Sequence, residues 1–413
     1  MHLTKYDAGI RGVGPGMTVR CGARRRLALM ALTVVVTGAS AVAQVSVSAP
    51  WALTAYLCAE GDLARAGQRY AQGLADAAGA AGWSLALEMD SPAGAEGALR
   101  KALVPGAEGV VVSASSGDLP PGRGTAQALA DFLSWAERRT PAAHRVLVVF
   151  GHGVSAGEPD GPGVAVDGGV DELLTPWELA QAVAVQPQRP DLIVLDVCHG
   201  ASAEVIWDLR SAGDLVVASL GRMPAMGLAW AAILRGAAQA HSGEQVALAC
   251  LGAARALGSG SLVAVRTGGL SAVAERLSAL TAAVAADPKS RLAAVAAARS
   301  RCSDWGEGRE LCDLRELCGH LGEARDTVLA SRARAAAEAI DACTLGGAGE
   351  DGAGGLLAVL PGGIAEAPDG YDQRADGFAA ASGWGRLLRL YCQRQQGLMR
   401  RVTGEGARGD GPA

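Results

Sequence analysis

The stretches Val146-Leu147-Val148-Val149-Phe150-Gly151-His152-Gly153 and Leu192-Ile193-Val194-Leu195-Asp196-Val197-Cys198 decide the fold. Each is a short apolar run that stops at turn residues and at one side chain able to do chemistry. Such runs read as strands of a parallel sheet, buried on both faces. Thr175 to Val183, between them, has helical character, so the unit is strand, crossover, strand. Right-handed crossovers bring the carboxyl ends of both strands to the same sheet edge, where α/β proteins build their sites. The His152 imidazole and the Cys198 thiol then share that edge. Neighbouring strands lie about 4.8 Å apart, which brings two strand-end side chains within reach of proton transfer. Glycines on both sides of His152 let a substrate main chain come close.

The alternation continues outward. Trp51 to Leu57, Trp83 to Met89 and Gly109 to Ser113 read as strands before the central unit, and Leu215 to Ala218 as a strand after it. Helices are expected from about Asp62 to Ala80, from Thr125 to Arg138 and from Leu228 to Ala238. This is the pattern of an α/β fold, an open and mostly parallel sheet flanked by helices. Further on, strands at Leu262 to Val265 and Leu356 to Leu360 accompany Ala-rich helices at Leu270 to Ala286, Ala293 to Arg301 and Asp326 to Cys343. Residues 44–240 are thus expected to form the α/β domain that carries the chemistry. Residues 241–400 form a mostly helical carboxyl-terminal part packed against it, and residues 401–413 a disordered tail.

Of the 413 residues, 50% are hydrophobic, enough for a large core and for two or three domains. A net charge of -5 gives no basic footprint for nucleic acid. Arg20, Arg24, Arg25 and Arg26, the apolar run Leu27 to Val36, and Ala41-Val42-Ala43 fit an export signal over residues 1–43, with a mature chain from Gln44. An uncleaved amino-terminal anchor is the alternative. The mature chain shows no run of about 18 apolar residues free of charges and breaks, so no membrane span is expected there. Cys21 would leave with the signal, which takes the nine cysteines to eight. Export permits disulfides. Cys58 and Cys250 read as buried thiols, while Cys302, Cys312, Cys318, Cys343 and Cys392 gather in the carboxyl-terminal part. No CxxC pair suggests zinc.

An apolar run ending in His-Gly, followed by one ending in Asp-x-Cys, is similar to the caspase-like cysteine peptidases, and its surroundings resemble the clostripain family within them. Trp51 to Leu57 with Gly61-Asp62-Leu63 shares the likeness, as does Leu129-Ala130-Asp131-Phe132-Leu133-Ser134-Trp135. So do Leu174-Thr175 through Glu178-Leu179, Cys312-Asp313-Leu314, Gly355 to Pro361, and Phe378-Ala379 with Ser382-Gly383-Trp384. The order of these stretches, spread over residues 50 to 390, carries the resemblance.

The resemblance implies a caspase-like fold and a cysteine endopeptidase that cleaves protein or peptide substrates after Arg or Lys. Cys198 would be the nucleophile and His152 the general acid/base. A thiol with an ordinary pKa near 8.5 is only a few per cent thiolate at neutral pH, so a nearby imidazole serves it. Backbone N–H groups of Gly153 and Cys198 would hold the oxyanion. Asp196 and Ser219 would lie at the substrate pocket, with Asp196 facing the same way as Cys198 and pairing with a basic side chain. The alternative for Asp196 is a carboxylate that bonds the strand-end turn. His199 competes with His152, although its place next to Cys198 should point it the other way.

Two features depart from the family. Leu220 to Gly227 lacks the acidic residues expected after this strand, and its Arg222 is placed to neutralise Asp196. From Gly151 to Gln188 there is no Lys or Arg, so the chain is expected to stay uncut between the two motifs. No cofactor is required. Calcium is the one candidate, implied by the resemblance and by Glu158, Asp160, Asp167, Asp171, Glu172 and Glu178 in one Gly-rich stretch, against the alternative of a solvated acidic loop. A caspase-like peptidase of non-basic specificity, and a catalytically weak protein that binds peptides or a partner, are the rival readings. The oligomeric state is left open.

Overall fold

The computed structural model describes residues 49–59, 61–89, 98–106, 109–119, 126–158, 161–166, 173–258, 261–348 and 355–403. The expected leader and most of the expected tail lie outside these residues. Strands β1 (Ala49–Leu57), β2 (Ser84–Met89), β3 (Ala98–Gly106), β4 (Gly109–Leu119) and β5 (Ala142–Phe150) come first, with α1 (Ala64–Ala81) and α2 (Ala126–Arg139) among them. A short hairpin, β6 (Ala165–Val166) and β7 (Leu173–Leu174), precedes α3 (Pro176–Ala184). Then follow β8 (Leu192–Asp196), α4 (Ala203–Asp208), β9 (Leu215–Ser219), α5 (Trp230–Gly236), α6 (Gly243–Leu257) and β10 (Leu262–Arg266). The remainder comprises α7 (Leu270–Ala286), α8 (Pro288–Arg299), β11 (Asp304–Trp305), β12 (Leu311–Asp313), α9 (Leu314–Leu321), α10 (Thr327–Cys343), β13 (Thr344–Ala348), β14 (Leu357–Val359), α11 (Phe378–Ala381) and α12 (Trp384–Thr403).

Among the described residues the main sheet has nine strands in the order β13-β10-β9-β8-β5-β1-β2-β3-β4. Its centre, β9-β8-β5-β1-β2, is parallel throughout, and both flanks are antiparallel. The runs Val146–Phe150 and Leu192–Leu195 are therefore direct neighbours at the middle of the sheet. They are apolar on both faces because both faces are covered. Val146, Val148 and Phe150 share one core with Leu192, Val194, and Tyr70, Leu74, Ile233 and Val246 of α1, α5 and α6. Leu147, Val149, Ile193 and Leu195 share the other with Phe132, Leu179, Leu277 and Ile340 of α2, α3, α7 and α10. Each such side chain contributes about 1.5–3 kcal/mol by leaving water. A one-residue slip in pairing would exchange the two faces, so the register is strongly specified.

Local chemistry sets the element ends. Thr175 accepts from the Glu178 N–H at 3.2 Å while the Glu178 carboxylate accepts from the Thr175 N–H at 2.9 Å, a reciprocal cap that starts α3 with Pro176 in its first turn. Gly82, in the left-handed region at φ 70°, stops α1.

Three expectations change. Residues beyond 240 do not simply pack against the sheet: β10 and β13 are strands of it, and the described residues from Ala49 onward form one compact unit. The strand at Gly109 runs on to Leu119 and pairs with β3, which the sequence reading lacked. The helix over Gly243–Leu257 was likewise not expected. Among the described residues one helix, Thr267–Ala286 with its leading turn, is long and apolar enough by composition to cross a membrane, and its Leu270, Val273, Leu277, Leu280 and Val284 are buried in the core. Cys302, Cys312, Cys318, Cys343 and Cys392 are buried with free thiols.

Candidate active site

Phe150 at the end of β5 pairs with Asp196 at the end of β8 in parallel register. His152 and Cys198 each follow two residues later, so the chain path alone carries both to one edge. They line a cleft of about 300 Å3 together with Gly153, Asp196 and His199. The β5 and β8 exits are pressed together: a Cβ on Gly153 would sit 2.1 Å from the Cys198 carbonyl oxygen and 3.0 Å from the Cys198 nitrogen. Only glycine allows that approach. The Cys198 thiol is half-buried, and its sulfur accepts a hydrogen bond from the Met223 N–H at 3.3 Å.

His152 has a partner that its own neighbourhood in sequence did not reveal. Its Nε2 lies 2.9 Å from Oδ1 of Asp62, at the start of the turn that leads into α1. The chain is brought there by the Cys58 N–H, which donates to the Phe150 carbonyl at 2.9 Å, and by Gly61 at φ 57°. The hydrogen bond from His152 holds the Asp62 carboxyl below the usual carboxylate range, although Asp62 is 80% exposed.

Asp196 is 1% exposed and lines the cleft. Its Oδ2 accepts from the Tyr70 hydroxyl at 2.6 Å and from the Leu228 N–H at 2.7 Å, while Oδ1 has no hydrogen-bond partner. Tyr70 in turn accepts from the Trp230 indole N–H at 2.7 Å. Burial pushes the Asp196 carboxyl up to about 6 against the opposing pull of these hydrogen bonds. Burial and the Asp196 charge together hold the Tyr70 hydroxyl well above its ordinary value. Gly227, at φ 61°, passes so close that a Cβ would meet the Tyr70 ring at 2.5 Å and Asp196 Oδ2 at 2.7 Å.

Other expected residues fall differently. Ser219 is fully buried and lies outside the cleft lining. Its hydroxyl donates to the Gly221 carbonyl at 2.9 Å and accepts from the Gly221 N–H at 3.2 Å, so it holds a turn. Arg222 does not neutralise Asp196, because it is exposed and pairs with Glu307 at the cleft rim. His199 lines the same cleft as Cys198 and does not point away. A φ of 55° breaks the side-chain alternation of a strand, and its buried ring has hydrogen-bond partners on neither nitrogen.

Calcium finds no cage in the described part of the acidic stretch. Glu178 is engaged in the α3 cap and Glu158 accepts from the Ser155 N–H at 3.4 Å, while Asp160, Asp167, Asp171 and Glu172 lie outside the described residues. Among the described residues no group of three or more His, Cys, Asp or Glu is placed to hold a metal ion.

The family model described as the clostripain family, Peptidase_C11, matches residues 117–292. Among curated proteins none matches the sequence. Among solved structures, a secreted C11 cysteine protease of Bacteroides thetaiotaomicron bound to an irreversible peptide inhibitor is similar with a TM-score of 0.60 at 14% identity, over 81% of this chain and 99% of that one. A second structure of a secreted C11 protease from that organism, called iotapain, gives 0.61 at 14% over 84% and 99%. An inactive zymogen C11 protease of Parabacteroides distasonis gives 0.57 at 14% over 83% and 97%. At such identity these structures show a shared fold, which is the caspase-like sheet that the sequence resemblance implies. The stretch matched by the family model, less than half of the chain, contains both His152 and Cys198, and over it the chain is similar to the clostripain family.

Proposed function

We propose that the chain is an exported endopeptidase in which Cys198 is the nucleophile, His152 the general acid/base and Asp196 the floor of a pocket for Arg or Lys. The observation that carries this reading is the parallel pairing of Phe150 with Asp196, from which His152 and Cys198 emerge two residues later into one cleft. With Nε2 engaged by Asp62, Nδ1 is the nitrogen that exchanges a proton with the thiol. The thiolate attacks the scissile carbonyl carbon, and the imidazolium gives its proton to the leaving amine. Water, deprotonated by His152, then cleaves the thioester and restores the thiol. The tetrahedral oxyanion is held by the N–H groups of Gly153 and Cys198.

A guanidinium entering the pocket meets an acidic oxygen with no donor of its own, Asp196 Oδ1. The salt bridge of Arg222 to Glu307 supports this reading, since it removes the nearest competitor. Export rests on the leader over residues 1–43, with a mature chain from Gln44. Two of the similar structures are described as secreted. The test is kcat/KM of the chain from Gln44 on matched peptides with Arg, Lys or Leu before the cut, beside Asp196→Asn. A preference for Arg and Lys that Asp196→Asn abolishes is expected. Equal or better cleavage after Leu would keep the peptidase and remove Asp196 from specificity.

A further inference from the structure

A second cavity, about 450 Å3 in volume, lies on the other side of the loop that follows His152. Glu158 lines both this cavity and the catalytic cleft, so one short loop separates them. The remaining walls come from the start of α3, from α4, and from the segment between Pro368 and Ala379. Among the described residues, five carboxylates line it, those of Glu158, Glu178, Glu204, Asp208 and Asp369, against the one guanidinium of Arg374.

Arg374 shows the chemistry these walls receive. Its guanidinium donates to the two oxygens of Asp208 at 2.5 and 3.1 Å and lies 5.8 Å from the centre of the Trp177 ring. The same guanidinium also reaches Asp376 at 3.4 Å, and among the five carboxylates that line the cavity it pairs with Asp208 alone. Glu204 is the exception that points to a ligand. It is 8% exposed, and its Oε1 accepts from the Tyr371 hydroxyl and the Val359 N–H, yet Oε2 has no hydrogen-bond partner. A buried carboxylate oxygen without a donor is costly, and a cation arriving beside it removes that cost. Trp177, 42% exposed, adds an aromatic surface.

We propose that this cavity is a second binding site, for a guanidinium or primary ammonium group, held by Glu204 with Trp177 as its aromatic wall. Such a group has two sources, a basic side chain of the peptide substrate that reaches across Glu158, or a free small amine. The site does not depend on the catalytic assignment.

The probe is agmatine, titrated by calorimetry into the chain from Gln44 carrying Cys198→Ala, so that no turnover is needed. Further arms add Asp196→Asn, Glu204→Gln or Trp177→Ala, the last an exposed position that leaves the core intact. The expected result is binding that survives Asp196→Asn and weakens at least tenfold in both Glu204→Gln and Trp177→Ala. With Cys198 restored, a substrate source is read as a loss of kcat/KM in Trp177→Ala only for peptides bearing a second Arg. A free-amine source is read as an agmatine-dependent rate on single-Arg peptides that Trp177→Ala abolishes. No agmatine binding, or binding lost in Asp196→Asn and untouched by the other two substitutions, overturns the proposal.

Discussion

His152 Nε2 and Asp62 Oδ1 lie 2.9 Å apart although ninety positions separate them in sequence. The contact fixes which ring nitrogen of His152 remains for the thiol. In the proposed mechanism Asp62 is a positioning residue, acting through the imidazole and not on the substrate. Its exposure limits its strength, because water screens the pair. Asp62→Asn is expected to lower kcat about tenfold, far less than loss of a buried triad carboxylate, with KM little changed. Steady-state kinetics over pH checks this. An unchanged kcat and pH profile would leave Asp62 with no part in catalysis.

The pocket acid has a pH signature. Asp196 titrates near 6, above the ordinary 3.8, so between these values the folded chain binds more protons than the unfolded one. Stability from this group is therefore full below about 3.8 and declines as pH rises towards 6. Binding runs the opposite way, since an Arg side chain needs the ionised form. For Arg peptides kcat/KM is expected to rise through about pH 6, and for Leu peptides this limb should be absent. Tyr70→Phe removes a hydrogen bond that stabilises the carboxylate, and should move the limb to higher pH. A limb that stays in place in Tyr70→Phe would assign it to another group.

Gly153 is fixed by contact. Its Cβ would overlap the Cys198 carbonyl, so Gly153→Ala must push the two strand exits apart. Displacing an oxyanion donor costs about a hundredfold or more in kcat. A lower thermal transition is expected beside that loss, because a Cβ held 2.1 Å from a backbone carbonyl oxygen forces the exits of two central strands to shift. A Gly153→Ala enzyme of normal kcat would remove this donor from the oxyanion site.

The segment between the motifs is poor in cleavable basic residues. Arg189 is the only basic residue from Gly151 to Asp191, and it immediately precedes Pro190 at the entrance to β8. Arg189 is exposed, but the bond after it leads into the buried Pro190, so a basic-specific enzyme finds no ordinary target in the segment and the active protein should remain one chain. Intact-mass analysis of an active preparation is the check. A cut between residues 153 and 190 would sink the expectation.

The central strands were legible because each is an apolar run closed by turn residues, and apolarity on both faces means coverage on both faces. The cleft was legible for the same reason, since His152 and Cys198 end such runs. Strand β3 was hidden by Arg100, Lys101 and Pro105, which break any apolar alternation. Helix α6, rich in small apolar residues, offered no distinctive signal beyond its Ser242 cap. Asp62 appeared only as a helix start and within a family-like stretch, and Tyr70 not at all, because contacts spanning 90 and 126 positions leave no local pattern. His199 escaped because alternation assumes extended backbone, and its φ is positive. Ser219 looked available for lack of any signal that its hydroxyl closes its own turn.

The most direct measurement is covalent labelling of the chain from Gln44 by a peptidic chloromethyl ketone bearing Arg, with a Leu reagent and Cys198→Ala in parallel. The account expects one label, on Cys198, from the Arg reagent, rising with pH through about 6 and absent in Cys198→Ala. Labelling of another cysteine, or none in a folded sample that Cys198→Ala matches, would contradict the assignment of Cys198 as the nucleophile.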